Sequence, residues 1–152
     1  MAIVVGQLAP QFTLQDQNQK DIRLSDYRGK NVVLLLYPLD WSPICTNEHA
    51  CIVGGMKAFE KLNAQVLGLS VDSVWSHKAF AEKMGITYPL LADFHPRGAV
   101  AEQFGLYDAG RGTASRAAVI VDKNGNVAWV KSYAYPTFPD VREVEQALAQ
   151  VQ

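Results

Sequence analysis

The stretch Val32-Val33-Leu34-Leu35-Leu36-Tyr37-Pro38-Leu39-Asp40-Trp41-Ser42-Pro43-Ile44-Cys45-Thr46 decides the reading of this chain, because it sets one cysteine between a strand and a helix. Val32 to Tyr37 is an unbroken apolar and aromatic run, the pattern of a strand buried on both faces, and Pro38 stops it. Ser42 reads as a helix N-cap and Pro43 as the first helical residue, where its missing N–H costs nothing. Cys45 then falls in the first helical turn, beside unpaired backbone N–H groups and the positive end of the helix dipole. Such surroundings favour thiolate over thiol, and a thiolate is a nucleophile. A buried cysteine acting as a small hydrophobe is the competing reading. The strand, the cap and the proline together favour the reactive one.

Working outward, buried-strand patterns alternate with helical ones, the element order of an α/β sheet. The spacing predicts a helix from Pro43 to Leu62, a strand at Val66 to Val71, and a helix from Ser73 to Met84 ending at Gly85. A further helix is expected over Pro96 to Phe104. Ala117 to Val121 and Val127 to Lys131 read as a hairpin joined through Asn124-Gly125. Pro139 to Val151 reads as an amphipathic helix with Val141, Val144, Leu148 and Val151 on one face. No linker or repeat divides the chain, so residues 1–152 are expected to form one domain.

Composition narrows the class. A chain of 152 residues that is 49% hydrophobic can fill one core. Fourteen basic against fifteen acidic residues give a net charge of -1, which leaves no electrostatic footprint for nucleic acid or an anionic membrane. Small molecules and proteins are the expected partners. Met1 to Gly6 has neither a basic region nor a long apolar stretch, which argues against a signal peptide or transmembrane helix. Two cysteines do not make a disulfide scaffold, and a reducing cytoplasm is the expected location.

The ordered set Pro38-x-x-x-Ser42-x-x-Cys45 resembles the active-site signature of the peroxiredoxins: proline, then threonine or serine, then the peroxidatic cysteine. The resemblance runs through Gly6 to Leu14, Leu24 to Lys30, Leu69 to Ser73, Tyr88 to Asp93 and Ser115 to Asp122. Gln15 to Gln19 and Asp93 to Val100 look most like the alkyl hydroperoxide reductase E group and the neighbouring bacterioferritin comigratory protein group. The resemblance implies a thioredoxin-like fold with a central mixed sheet, and a homodimer formed through the active-site edge. It also implies a thiol-dependent peroxidase that takes hydroperoxides and is regenerated by a thioredoxin-like or low-molecular-weight thiol.

Peroxide chemistry explains the residue types. A thiolate attacks one oxygen while the other leaves with negative charge, so hydrogen-bond donors and a fixed cation are useful neighbours. Ser42 can offer a hydroxyl and Cys45 its own backbone N–H. In the family resembled, the serine or threonine holds the peroxide and an arginine from a later strand pairs with the thiolate; Arg116 matches it. Arginine suits the role because it stays protonated and presents its donors in a rigid fork. Pro38 is expected to shield the thiolate. Glu48 shares a helical face with Cys45 and matches an acidic residue of the family's active-site network, although a solvated carboxylate near a helix start is the plainer reading. Trp41, Trp75 and Tyr37 are read as core, or as the wall of an apolar mouth or a dimer contact.

No cofactor is expected. His49, His77 and His95 lack metal-ligand spacing, and no second cysteine pair exists to complete a zinc site. Two other functions compete with the peroxidase: a thioredoxin-like disulfide reductase or electron carrier, against which the missing Cys-x-x-Cys counts, and a non-catalytic redox-sensing domain. Cys51 departs from the comigratory-protein pattern, in which the second cysteine stands five positions after the first rather than six. On a helix six positions separate the Cα atoms by roughly 10 Å, on different faces. A disulfide requires less than about 7 Å, so resolution by Cys51 demands local unwinding, which Gly54 and Gly55 would ease. A one-cysteine enzyme with a buried Cys51 is the alternative.

Overall fold

In the computed structural model, which describes residues 3–152, the chain opens with a hairpin of β1 (Thr13–Gln15) and β2 (Asp21–Arg23). Met1 and Ala2, where the reading of the N-terminus began, lie outside the described residues. A 3-10 turn at Leu24–Tyr27 leads into β3 (Asn31–Leu36), all six residues of which are buried. Its odd and even positions feed opposite faces of the sheet. Val32, Leu34 and Leu36 pack with Phe12, Leu24 and Phe104, while Val33 and Leu35 pack with Ile52, Phe59, Phe80 and Leu148. A strand covered on both faces has no polar side, and this is why the run reads as continuous rather than alternating.

Helix α1 (Pro43–Gly54) follows, then α2 (Met56–Lys61), β4 (Ala64–Ser70), α3 (Val74–Met84) and β5 (Leu90–Ala92). After them come α4 (Ala99–Gln103), a small β6–β7 pair (Tyr107–Asp108 and Thr113–Ala114), β8 (Ala117–Val121), β9 (Val127–Ser132) and α5 (Val141–Val151). The central sheet has the order β5-β4-β3-β8-β9. β4 lies parallel to β3 and to β5, and β8 runs antiparallel to β3 and to β9. This mixed sheet with helices on its faces is the thioredoxin-like α/β fold that the resemblance implied.

Several boundaries differ from the sequence reading, each for a local reason. The helix expected over Pro43 to Leu62 is two helices, broken at Gly55. A Cβ on Gly55 would stand 2.6 Å from Cγ1 of Val141, so the break is where the chain presses against the start of α5. The helix expected over Pro96 to Phe104 is only Ala99–Gln103, because the Asp93 carboxylate accepts the N–H groups of Val100 and Ala101 and caps it late. The hairpin does not turn on two residues. Val121 pairs with Val127, leaving residues 122–126 as a loop in which Asp122 Oδ1 accepts the N–H groups of Asn124 and Asn126. Asn124-Gly125 sits inside that loop, Gly125 supplying a φ of +86°. The C-terminal helix begins at Val141, capped by Asp140, with Val144 and Leu148 fully buried and Val141 and Val151 partly so. α3 starts one residue late, with Ser73 as its N-cap and Gly85 at its left-handed end.

Candidate active site

Two strand ends build the site. The antiparallel register sets Leu36 opposite Ala117, so the end of β3 and the start of β8 are adjacent. The residues just beyond them, Pro38 on one side and Arg116 on the other, therefore face one cavity of about 240 Å³. Leaving β3, the chain turns through Leu39-Asp40-Trp41 and enters α1 with Ser42 at the N-cap and Pro43 first in the helix. The first intrahelical hydrogen bond is donated by Thr46 to the Ser42 carbonyl at 2.9 Å. The N–H of Cys45 precedes it and is one of the unpaired donors of a helix start.

Cys45 is fully buried. Its Sγ lies 3.2 Å from Nη2 of Arg116, whose Nη1 donates to Oε1 of Glu48 at 2.6 Å. The guanidinium thus spans thiol and carboxylate, and its fork geometry allows both contacts at once. The Arg116 backbone is fixed as well, its carbonyl accepting the N–H of Tyr133 at 2.9 Å. Glu48 is fully buried, and its second oxygen has no hydrogen-bond partner. Burial raises its pKa to about 7, against the opposing pull of Arg116. The solvated-carboxylate reading of Glu48 is therefore corrected: the side chain points inward.

Ser42 occupies the N-cap position, but its hydroxyl makes no capping bond and donates instead to the Leu39 carbonyl at 3.1 Å. Cys51 lies within α1, and its thiol is free and exposed. The buried Cys51 of the one-cysteine alternative is thus corrected, because position 51 falls on the outer side of the helix while Cys45, Glu48, His49 and Ile52 face inward. It borders a groove with Gly54, Gly55, Phe138, Pro139 and Val141.

Tyr37 does not wall the mouth. It is fully buried and sets its ring edge against His49, with ring centroids 4.4 Å apart. Trp41 and Trp75 are 50% and 64% exposed, so they are not core, and neither lines the cavity that Pro38 and Arg116 face. The aromatic rings that do border it are Tyr133 and Tyr135, which the sequence reading passed over. Their signal was available only through the hairpin, since β9 carries the chain back beside Arg116. Burial holds His49 neutral, lowering its pKa to about 3. His77 is buried beside Asp40 and Asp72.

Chemically, the arrangement sets a buried thiol at a helix start against a guanidinium that also lines a neighbouring cavity. The comparisons agree with that chemistry. The family model described as "AhpC/TSA family" matches residues 5–130. "Alkyl hydroperoxide reductase E" of Mycobacterium tuberculosis is 38% identical, over 95% of this chain and 95% of its own length. "Peroxiredoxin" of Thermoplasma volcanium is 35% identical, over 100% of this chain and 76% of its own length. Among solved structures, that of Enterococcus faecalis AhpC superposes with a TM-score of 0.87 at 29% identity, covering 99% of this chain and 92% of that one.

Proposed function

Since the chain belongs to the AhpC/TSA family, whose relatives here are peroxiredoxins and an alkyl hydroperoxide reductase, we propose that it is a thiol-dependent peroxidase working through Cys45. The observation that carries the assignment is the 3.2 Å contact between Arg116 Nη2 and Cys45 Sγ. A permanent cation at that distance favours thiolate over thiol and stays in place when negative charge moves onto the peroxide oxygens. The thiolate attacks the terminal oxygen of a hydroperoxide; the S–O bond forms, the O–O bond breaks, and the alkoxide or hydroxide leaves and is protonated. Arg116 and the Cys45 N–H are the donors for the departing charge, joined by the Ser42 hydroxyl once it turns from the Leu39 carbonyl. Pro38 covers the thiolate side of the opening. Glu48 holds the guanidinium in line.

The product is a Cys45 sulfenic acid. One thiol condenses with it, releasing water and forming a disulfide, and a second thiol frees Cys45. Cys51 resolves the sulfenic acid after α1 unwinds near the Gly55 break, and a thioredoxin-type or low-molecular-weight thiol takes that place when unwinding is slow. Peptide mapping after one equivalent of peroxide separates these routes: a Cys45–Cys51 disulfide supports the first, and a persistent sulfenic acid with free Cys51 supports the second. The exposed Trp41, Trp75 and Phe94 are apolar surface that a homodimer would cover, which supports that assembly. Two free thiols support a cytoplasmic location, and among the described residues no helix is long and apolar enough to cross a membrane. The disulfide-carrier reading is weaker, because position 48, where a Cys-x-x-Cys would place its second thiol, is Glu48.

Cys45→Ser tests the assignment. A serine hydroxyl is too weakly acidic to give an anion here, so thiol-dependent peroxide consumption falls to the uncatalysed rate. Turnover that persists in this variant rejects Cys45 as the nucleophile.

A further inference from the structure

Between β3 and α1 the chain passes through a turn held from below by groups that never touch the thiol. Asp40 stands at its centre and is 6% exposed. Its Oδ1 accepts the Tyr37 hydroxyl at 2.7 Å, and its Oδ2 accepts the Ser76 hydroxyl at 2.9 Å and lies 2.8 Å from Nδ1 of His77. Its backbone N–H donates to Oδ2 of Asp72 at 2.8 Å, and that oxygen also accepts the Ser70 hydroxyl at 2.5 Å.

The partners of His77 specify where protons sit. Nε2 lies 3.1 Å from the Leu91 carbonyl, which can only accept, so Nε2 carries a hydrogen. Nδ1 faces the Asp40 carboxylate, so the second proton lies within the Nδ1–Oδ2 hydrogen bond. The oxygens and nitrogens of Asp40, Asp72 and His77 approach within 4.8 Å of one another, as metal ligands would, but their lone pairs and protons are already committed to these hydrogen bonds. The cluster is an anchor.

What it anchors is strained. Trp41, next in the chain, has a φ of +73°, a conformation that costs a bulky side chain energy and persists only where the surroundings over-determine it. Its ring packs edge-on against Phe80 of α3, with centroids 5.2 Å apart. Helix α3 therefore grips consecutive residues: Ser76 and His77 hold Asp40, and Phe80 holds Trp41. Tyr37 closes the loop on the other side through its contact with His49, one turn along α1 from Cys45.

We propose that Asp40, clamped by His77, is a positioning residue of the peroxidase, setting the turn that places Ser42 and Cys45 opposite Arg116. The inference rests on the peroxidase reading and deepens it. Neither Asp40 nor His77 contacts the sulfur; they act through the backbone between Pro38 and Pro43.

The test compares Asp40→Ala with Asp40→Asn. Alanine removes the anchor, and a displaced nucleophile should slow Cys45 oxidation by hydrogen peroxide on the order of 10²-fold. The pH profile of Cys45 alkylation by iodoacetamide should shift with it. Asparagine recovers most of the loss, since its Oδ1 accepts from Tyr37 while its Nδ2 donates to Ser76 and to Nδ1 of a neutral His77. Rates are taken well below each variant's melting transition, where a role confined to stability would leave them unchanged. His77→Ala, which removes the clamp without touching the turn, should slow the reaction in the same sense and serves if Asp40→Ala does not fold. A folded Asp40→Ala or His77→Ala with the parent rate overturns the proposal, and so does an Asp40→Asn as slow as the alanine variant. Alkylation needs no peroxide and therefore reports the turn independently, whereas a parent protein that fails to consume peroxide would overturn the function instead.

Discussion

Replacing Arg116 by methionine removes a buried cation while keeping most of the side-chain volume. Two contacts vanish: the hydrogen bond to Cys45 Sγ at 3.2 Å and the ion pair to Glu48 Oε1 at 2.6 Å. The Arg116 side chain is only 8% exposed, so water does not substitute freely for it. A hydrogen bond to a charged group contributes about 1.5–3 kcal/mol, and at ~1.4 kcal/mol per decade this is roughly one to two decades of thiolate population. Glu48, left without its partner, then loses the one influence that holds its pKa down and becomes a neutral buried acid at neutral pH. The charge removed from the site is therefore a guanidinium and a carboxylate together, which limits the damage to folding. Alkylation of Cys45 by iodoacetamide at neutral pH should slow by about tenfold to a hundredfold. Single-turnover reduction of hydrogen peroxide should slow by at least about tenfold at neutral pH. An unchanged alkylation rate in a folded variant would refute the reasoning and remove Arg116 from the site.

Three further outcomes are expected. Ser42→Ala should slow peroxide reduction while Ser42→Thr is tolerated, since only the hydroxyl is required; equal rates for Ala and parent dismiss the donor role. Glu48 has a folded pKa of about 7 against an ordinary 4.5, so its contribution to stability is fully present below about 4.5 and lost as pH rises through about 7. Glu48→Gln should flatten that loss, read as a smaller difference between urea midpoints at acidic and at slightly alkaline pH, and an unchanged difference contradicts the assignment. Gly55→Ala places a Cβ 2.6 Å from the Val141 side chain. It should destabilise by about 1–3 kcal/mol in a urea melt, and a neutral effect would show that α5 yields easily there.

How much of this was legible beforehand depends on the range of the interaction concerned. The strand, its proline stop, the capped helix start and the position of Cys45 within the first turn were all readable, because each is governed by neighbours within a few residues. The split of the long helix was not: at Gly55 the chain lies so close to Val141, far along the sequence, that a Cβ there would stand 2.6 Å from its side chain. Nor did the apolar run alone say that Tyr37 turns inward onto His49 while Trp41 turns outward.

By itself, the sequence determined where Cys45 sits, its helix and, through the ordered motif, the family, since local backbone preferences and residue order carry that information. Tertiary structure alone decided the electrostatics. The antiparallel register of β3 with β8 brings Arg116 to Cys45 across 71 positions, Glu48 acquires its raised pKa only by being buried behind that guanidinium, and Asp40 meets His77 across 37 positions. Pairings of this kind depend on which strands lie side by side and on how much water the packed helices exclude. Both are properties of the assembled fold.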